Sequence, residues 1–140
     1  MLKSIQISSI YVPDQDQALD FYVGKVGMEV HTDLDLGFMR WLTVSVPGDR
    51  SRAVLLEKIG GPNMDDKTAD QVREVLSKGA SGGHLFLTVD DARKTYDELV
   101  AKGVEVTQEP AEQPYGIDFG IRDPFGNSVR FSQPAEATAQ

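Results

Sequence analysis

The sequence predicts an α+β fold made of two βαβββ modules. Three observations carry this. The order strand, helix, three strands reads twice along the chain. The tetrapeptides Gly27-Met28-Glu29-Val30 and Gly103-Val104-Glu105-Val106 fall at the same place in each repeat. A glycine-flanked connector divides the two, as duplication of one supersecondary unit would leave it.

The elements follow in order. Residues 4–12 alternate as a strand, with Ile5, Ile7, Ser9 and Tyr11 on one face and Ser8, Ile10 and Val12 on the other. Pro13-Asp14 starts a helix, Asp14 being the N-cap. Its residues Ala18, Phe21 and Tyr22 have the spacing of a buried stripe. Gly27 ends that segment, and strands are expected at 28–32, 38–46 and 53–58, with Pro47-Gly48 turning the last two into a hairpin.

The second module starts with a strand at 83–89, where His84, Phe86 and Thr88 share one face and Leu85, Leu87 and Val89 the other. Asp90-Asp91 caps a helix with Ala92, Tyr96, Leu99 and Val100 inward. Strands at 104–106, 115–122 and 128–133 complete it. The connector, 60–82, holds a helix over 65–78 with the stripe Ala69, Val72, Val75 and Leu76. The expected organisation is one domain: module 1–59, connector 60–82, module 83–133 and a frayed tail from 134 to 140.

Composition bounds the function. The chain has 140 residues, 40% of them hydrophobic and 26% charged, which is ordinary for a soluble globular protein. Its formal net charge of −8 argues against nucleic acid and anionic membranes as partners. No run is long and apolar enough to span a bilayer. There is no cysteine, hence no disulfide, thiol nucleophile or thiolate metal site. A cytoplasmic location is expected. The sequence shows no Gly-rich phosphate loop, serine nucleophile motif or basic stripe. The pairs Asp65-Asp66 and Asp90-Asp91 read as helix caps, Asp33 and Asp35 as a solvated turn, and His31 as an exposed edge residue.

The stretch Asp123-Pro124-Phe125-Gly126-Asn127 is a tight turn leading into the last strand. Together with the Val12-Pro13-Asp14 helix entry, the Phe21-Tyr22 pair and Val26-Gly27-Met28 before a strand, it resembles one group of proteins. This is the vicinal oxygen chelate superfamily of glyoxalase I, bleomycin-resistance proteins, fosfomycin-resistance enzymes and extradiol dioxygenases. The resemblance covers residues 3–133. It implies a curved mixed β-sheet around a cavity, and commonly a homodimer.

The resemblance also implies where a catalytic metal would bind, on the first and last strands of each module. Those positions fall on Ile7, on Leu56 or Glu57 according to register, on His84 and on Arg130. Isoleucine cannot ligate and arginine repels a cation, so no metal cofactor is expected; a divalent Mn, Fe, Ni, Co or Zn held by His84 and Glu57 is the alternative. Arg130 could anchor an anionic ligand, or pair internally with Glu57 or Asp118. His84 could donate a hydrogen bond or, with Glu57, act as an acid/base pair. Trp41, Tyr11, Phe86, Tyr115 and Phe119 could line an aromatic cavity or simply pack. The function implied is binding of a small organic, anionic or aromatic, molecule. The alternatives are a metal-dependent lyase, isomerase or dioxygenase, and a protein that acts only through partners.

Overall fold

Among the described residues, each helix is capped by the aspartate the sequence assigns. In the computed structural model, which describes residues 1–136, Asp14, Asp65 and Asp91 accept hydrogen bonds from the backbone N–H groups of Gln17, Thr68 and Lys94. Each cap satisfies one orphan donor of the first turn. The helices are α1 (Gln15–Tyr22), α2 (Asp66–Ser77) and α3 (Ala92–Ala101).

The strands of the first unit, Met1–Gly83, are β1 (Ile7–Val12), β2 (Glu29–Asp35), β3 (Arg40–Val46) and β4 (Asp49–Lys58). They form one mixed sheet in the order β1-β4-β3-β2, with β1 parallel to β4 and the other pairs antiparallel. The second unit, from His84 on, repeats the pattern with β5 (His84–Thr88), β6 (Glu105–Gln113), β7 (Gly116–Arg122) and β8 (Ser128–Pro134), in the order β5-β8-β7-β6. The doubled βαβββ reading is therefore what the chain adopts, one four-stranded mixed sheet per repeat.

One face of each sheet holds the core. In the first unit Ile10, Val12, Leu42, Val44 and Leu56 are buried together with Ala18, Phe21 and Tyr22 of α1. In the second, Leu85, Phe119, Ile121, Val129 and Phe131 are buried, and α3 packs on β6, β7 and β8. The opposite faces carry the residues of functional interest, because strand side chains alternate.

Several boundaries differ from the sequence expectation. Residues 4–6 precede β1, and Ile5 is exposed. Strand β3 starts at Arg40, which leaves Phe38 exposed in the preceding turn. The largest difference is β6, nine residues long where three were expected. It is a sheet edge with register irregularities near Gln108, and it carries Pro110. An edge tolerates proline and polar residues, so its hydrophobic signal is weak. Val75 and Val100 face out, so the helical stripes of α2 and α3 are narrower than expected. The last strand includes Pro134, and the Ala135 N–H donates to the Tyr115 carbonyl, so the expected tail is partly sheet. Its residues 137–140 lie outside the described residues.

Candidate functional site

The turn before β8 sets the position of Arg130. Asp123 Oδ1 accepts the backbone N–H groups of Phe125, Gly126 and Asn127 at 2.8–2.9 Å. Gly126 takes φ 125°, a conformation that side chains avoid. Strand β8 then runs parallel to β5, with His84 opposite Ser128 and Phe86 opposite Arg130. Arg130, Phe86 and Asp118 therefore share the face of the sheet that points away from α3.

Arg130 is held by a polar cluster. Its Nη2 donates to Asp118 Oδ2 at 2.8 Å and to Gln108 Oε1 at 2.7 Å. The Tyr115 hydroxyl donates to the same Asp118 oxygen at 2.6 Å, and Gln108 Nε2 donates to the other at 3.2 Å. Asp118 is only 5% exposed. The Tyr115 hydrogen bond, then the Arg130 pair, hold its carboxyl below the usual range, and Asp118 in turn raises the Tyr115 phenol. Asp118 is thus a saturated carboxylate, a brace for Arg130 rather than a base. Of the five guanidinium donors, those on Nη1 and Nε have no protein acceptor among the described residues.

Gly120 makes room for this arrangement. A Cβ there would sit 2.9 Å from Arg130 Nη1 and 2.7 Å from Thr107 Oγ1. Around the guanidinium lies a cavity of about 270 Å3 lined by Phe86, Thr88, Tyr115, Asp118, Arg130 and Ser132. Phe86 is 74% exposed and Tyr115 56% exposed. A planar molecule has two aromatic walls there and an arginine fork beside them.

The other predicted residues fall elsewhere. Phe119 is wholly buried on the helix side, stacked on Phe131 at 4.8 Å and edge-on to Tyr96. It is core, not cavity wall, because its strand neighbours Asp118 and Gly120 take the open face. His84 stacks on Phe86 at 6.2 Å, is exposed, and has no hydrogen bond or ion pair among the described residues. Trp41 is half-buried on β3 opposite Leu34. Tyr11 and Glu57 are register partners on β1 and β4 and border a separate cavity of the first unit. His31 is less free than expected: its ring nitrogens meet Thr32 Oγ1 and the Arg50 carbonyl.

The register also fixes which residues occupy the positions where a metal would bind. Ile7 opens β1 opposite Ala53, and His84 opens β5 opposite Ser128. Two residues further along the last strands come Leu55 and Arg130. Leu55 is therefore the counterpart of Arg130, and Glu57 is the counterpart of Ser132. Leu56 is buried on the helix side. The four related positions are Ile7, Leu55, His84 and Arg130, of which only His84 can ligate. Among the described residues no three His, Cys, Asp or Glu come together as a metal-holding group. This residue set does not fit a divalent ion.

Comparison with known proteins agrees with the fold. The family model for the Glyoxalase/Bleomycin resistance protein/Dioxygenase superfamily matches residues 4–131, and the chain belongs to that superfamily. The crystal structure of UcmS2 is 34% identical, superposes with a TM-score of 0.87, and the match covers 94% of this chain and 98% of that one. That of TnmS3, an antibiotic binding protein from Streptomyces sp. CB03234, is 28% identical with a TM-score of 0.74, covering 96% of this chain and 98% of that one. By sequence, YurT of Bacillus subtilis (strain 168), an uncharacterised protein, is 32% identical over 92% of this chain and 98% of its own length. A probable lactoylglutathione lyase of Vibrio cholerae is 28% identical over 91% of this chain and 88% of its own.

The residues that sequence reasoning missed are Gln108 and Gly120. Gln108 lies in the part of edge strand β6 beyond the expected 104–106. Gly120 matters only through the side chain that crosses it.

Proposed function

We propose that this chain binds a small organic molecule, using the unspent edge of the Arg130 guanidinium as its polar anchor. The single observation that carries the reading is that Asp118 and Gln108 engage Nη2 alone. The rest of the fork has no acceptor among the described residues, in a cavity that Phe86 and Tyr115 also line. A guanidinium braced in this way loses little freedom when it takes an oxygen acceptor, and its plane suits a carboxylate or an enolate-like oxygen. The cavity is smaller than the roughly 300–1,000 Å3 of drug-sized sites, so it receives one ring and its oxygen substituent. The likeness to TnmS3 supports binding as the function, and the residue types at the four related positions support binding without a metal. We further take the protein to act in the cytoplasm as a homodimer; exposed Val30 and Leu34 on edge strand β2, with exposed Leu36 just after it, support association.

A second reading, a metal-dependent lyase, isomerase or dioxygenase, is favoured by His84 and by the named Vibrio cholerae relative. Isothermal titration with salicylate tests the first reading. Binding that is lost in Arg130→Ala and kept in His84→Ala supports it. Binding kept in Arg130→Ala, or requiring added metal and His84, overturns it.

A further inference from the structure

The first unit holds a larger cavity, of about 430 Å3, which the Arg130 site does not use. This volume lies within the usual range of small-molecule sites. It opens at the carboxyl ends of the parallel strands β1 and β4, beside the start of α1 and the segment 60–64. Phe38, Met39, Met64 and Tyr11 supply an apolar and aromatic lining. Gln15 closes one side; its Nε2 donates to the carbonyls of Leu56 and Arg40 at 2.9 and 3.1 Å and fixes the wall.

Three charged side chains border this cavity: Arg40, Glu57 and Lys58. Arg40 is already committed. Its Nε and Nη2 meet both oxygens of Asp33 at 2.9 Å, and its Nη1 meets Asp16 at 2.7 Å. One cation against two carboxylates leaves that group net negative. Lys58 borders the cavity at the exposed end of β4, where water screens its charge. Glu57 is different. It is half-buried beside Tyr11 and has no hydrogen bond or ion pair among the described residues.

We propose that this cavity is a second ligand site, selective for an organic cation with an aromatic body. The ammonium pairs with Glu57 while the ring packs against Phe38, Tyr11 and the two methionines. An uncharged ligand filling the cavity would strip water from the Glu57 carboxylate and leave it unpaired, which is costly; a cation replaces that water with an ion pair. Aromatic neighbours add cation–π attraction. The net charge of −8 raises the local concentration of cations around the whole molecule. The site lies wholly within the first unit, so it stands or falls apart from the Arg130 site.

Isothermal titration of the full chain with tryptamine, and with indole-3-propionate as its anionic counterpart, tests the proposal. Tryptamine is expected to bind and indole-3-propionate not to. Glu57→Gln, nearly the same in size, should weaken tryptamine about tenfold or more. Phe38→Ala should also weaken it, and because Phe38 is 69% exposed this variant keeps the fold. Lys58→Met and Arg130→Ala should leave it unchanged or tighter. Equal affinity in Glu57→Gln, equal affinity for the anion, or no tryptamine binding up to about 1 mM would overturn the assignment.

Discussion

Arg130 and Asp118 are diagonal neighbours, not register partners: Arg130 lies opposite Gly120 and Asp118 opposite Ser132, yet Nη2 reaches Oδ2 at 2.8 Å. The guanidinium gets there by lying across Gly120, the one position between them with no side chain. Long side chains can cover a diagonal of about 7–8 Å across antiparallel strands. The pair is therefore a product of register plus a missing Cβ, and it leaves the guanidinium lying along the sheet with one edge open.

Replacing Asp118 should unfasten the cluster. Asp118→Ala removes the acceptor of three side-chain donors, of which Tyr115 and Arg130 can still turn to water. The expected loss is about 2 kcal/mol, read by urea denaturation. Tyr115→Phe removes one exposed donor and should cost less than half as much.

Acid should find the same carboxylate. Its folded pKa lies below the unfolded one, chiefly through Tyr115 and then Arg130. A depressed carboxyl contributes stability that is complete above the unfolded value, about 3.9, and is lost as pH falls through the folded value. Unfolding free energy measured from pH 6 downward should drop below about pH 4 in the wild type, and more shallowly in Asp118→Asn. An identical slope in both proteins would refute this assignment. The Tyr115 phenol is raised, so its spectroscopic ionisation should come later than that of a free tyrosine, and Asp118→Asn should bring it back.

Gly120→Ala tests the floor under the guanidinium. The glycine's φ lies outside the left-handed region, so the penalty is one of space alone. The added methyl meets Arg130 Nη1 and Thr107 Oγ1. Affinity for a ligand of the Arg130 site should fall about tenfold while the protein stays folded, with about 1 kcal/mol lost.

Two phenylalanines of the same sheet should behave in opposite ways. Phe119→Ala removes a wholly buried ring stacked on Phe131 and should cost about 3–5 kcal/mol. Phe86→Ala removes a ring that is 74% exposed and should change stability by less than about 0.5 kcal/mol while weakening the ligand. Chemical denaturation of the two variants separates core from site.

Elemental analysis after dialysis against Mn, Fe, Ni, Co or Zn should find less than stoichiometric metal, with no difference between wild type and His84→Ala. Stoichiometric metal lost in that variant would favour the second functional reading.

Much of this protein is legible in its sequence because the signals are short-range. An aspartate before an amphipathic run caps a helix whatever surrounds it, as at Asp14, Asp65 and Asp91. The Asp123–Asn127 turn is likewise built from its own five residues. The doubled order of elements follows from periodicity together with these caps and turns. Partnership across strands has no such local signal. That Leu55 corresponds to Arg130, and not Leu56 or Glu57 as expected, whether Phe119 lines a cavity or fills the core, and which carboxylate braces the arginine all depend on register and face. A shift of one residue would turn each of these side chains to the other face, since side chains alternate with period two. The edge strand β6, which supplies Gln108, carries a weak pattern because a sheet edge needs little apolar burial. Short-range chemistry thus determined the elements and their order, and long-range pairing alone decided which side chains meet.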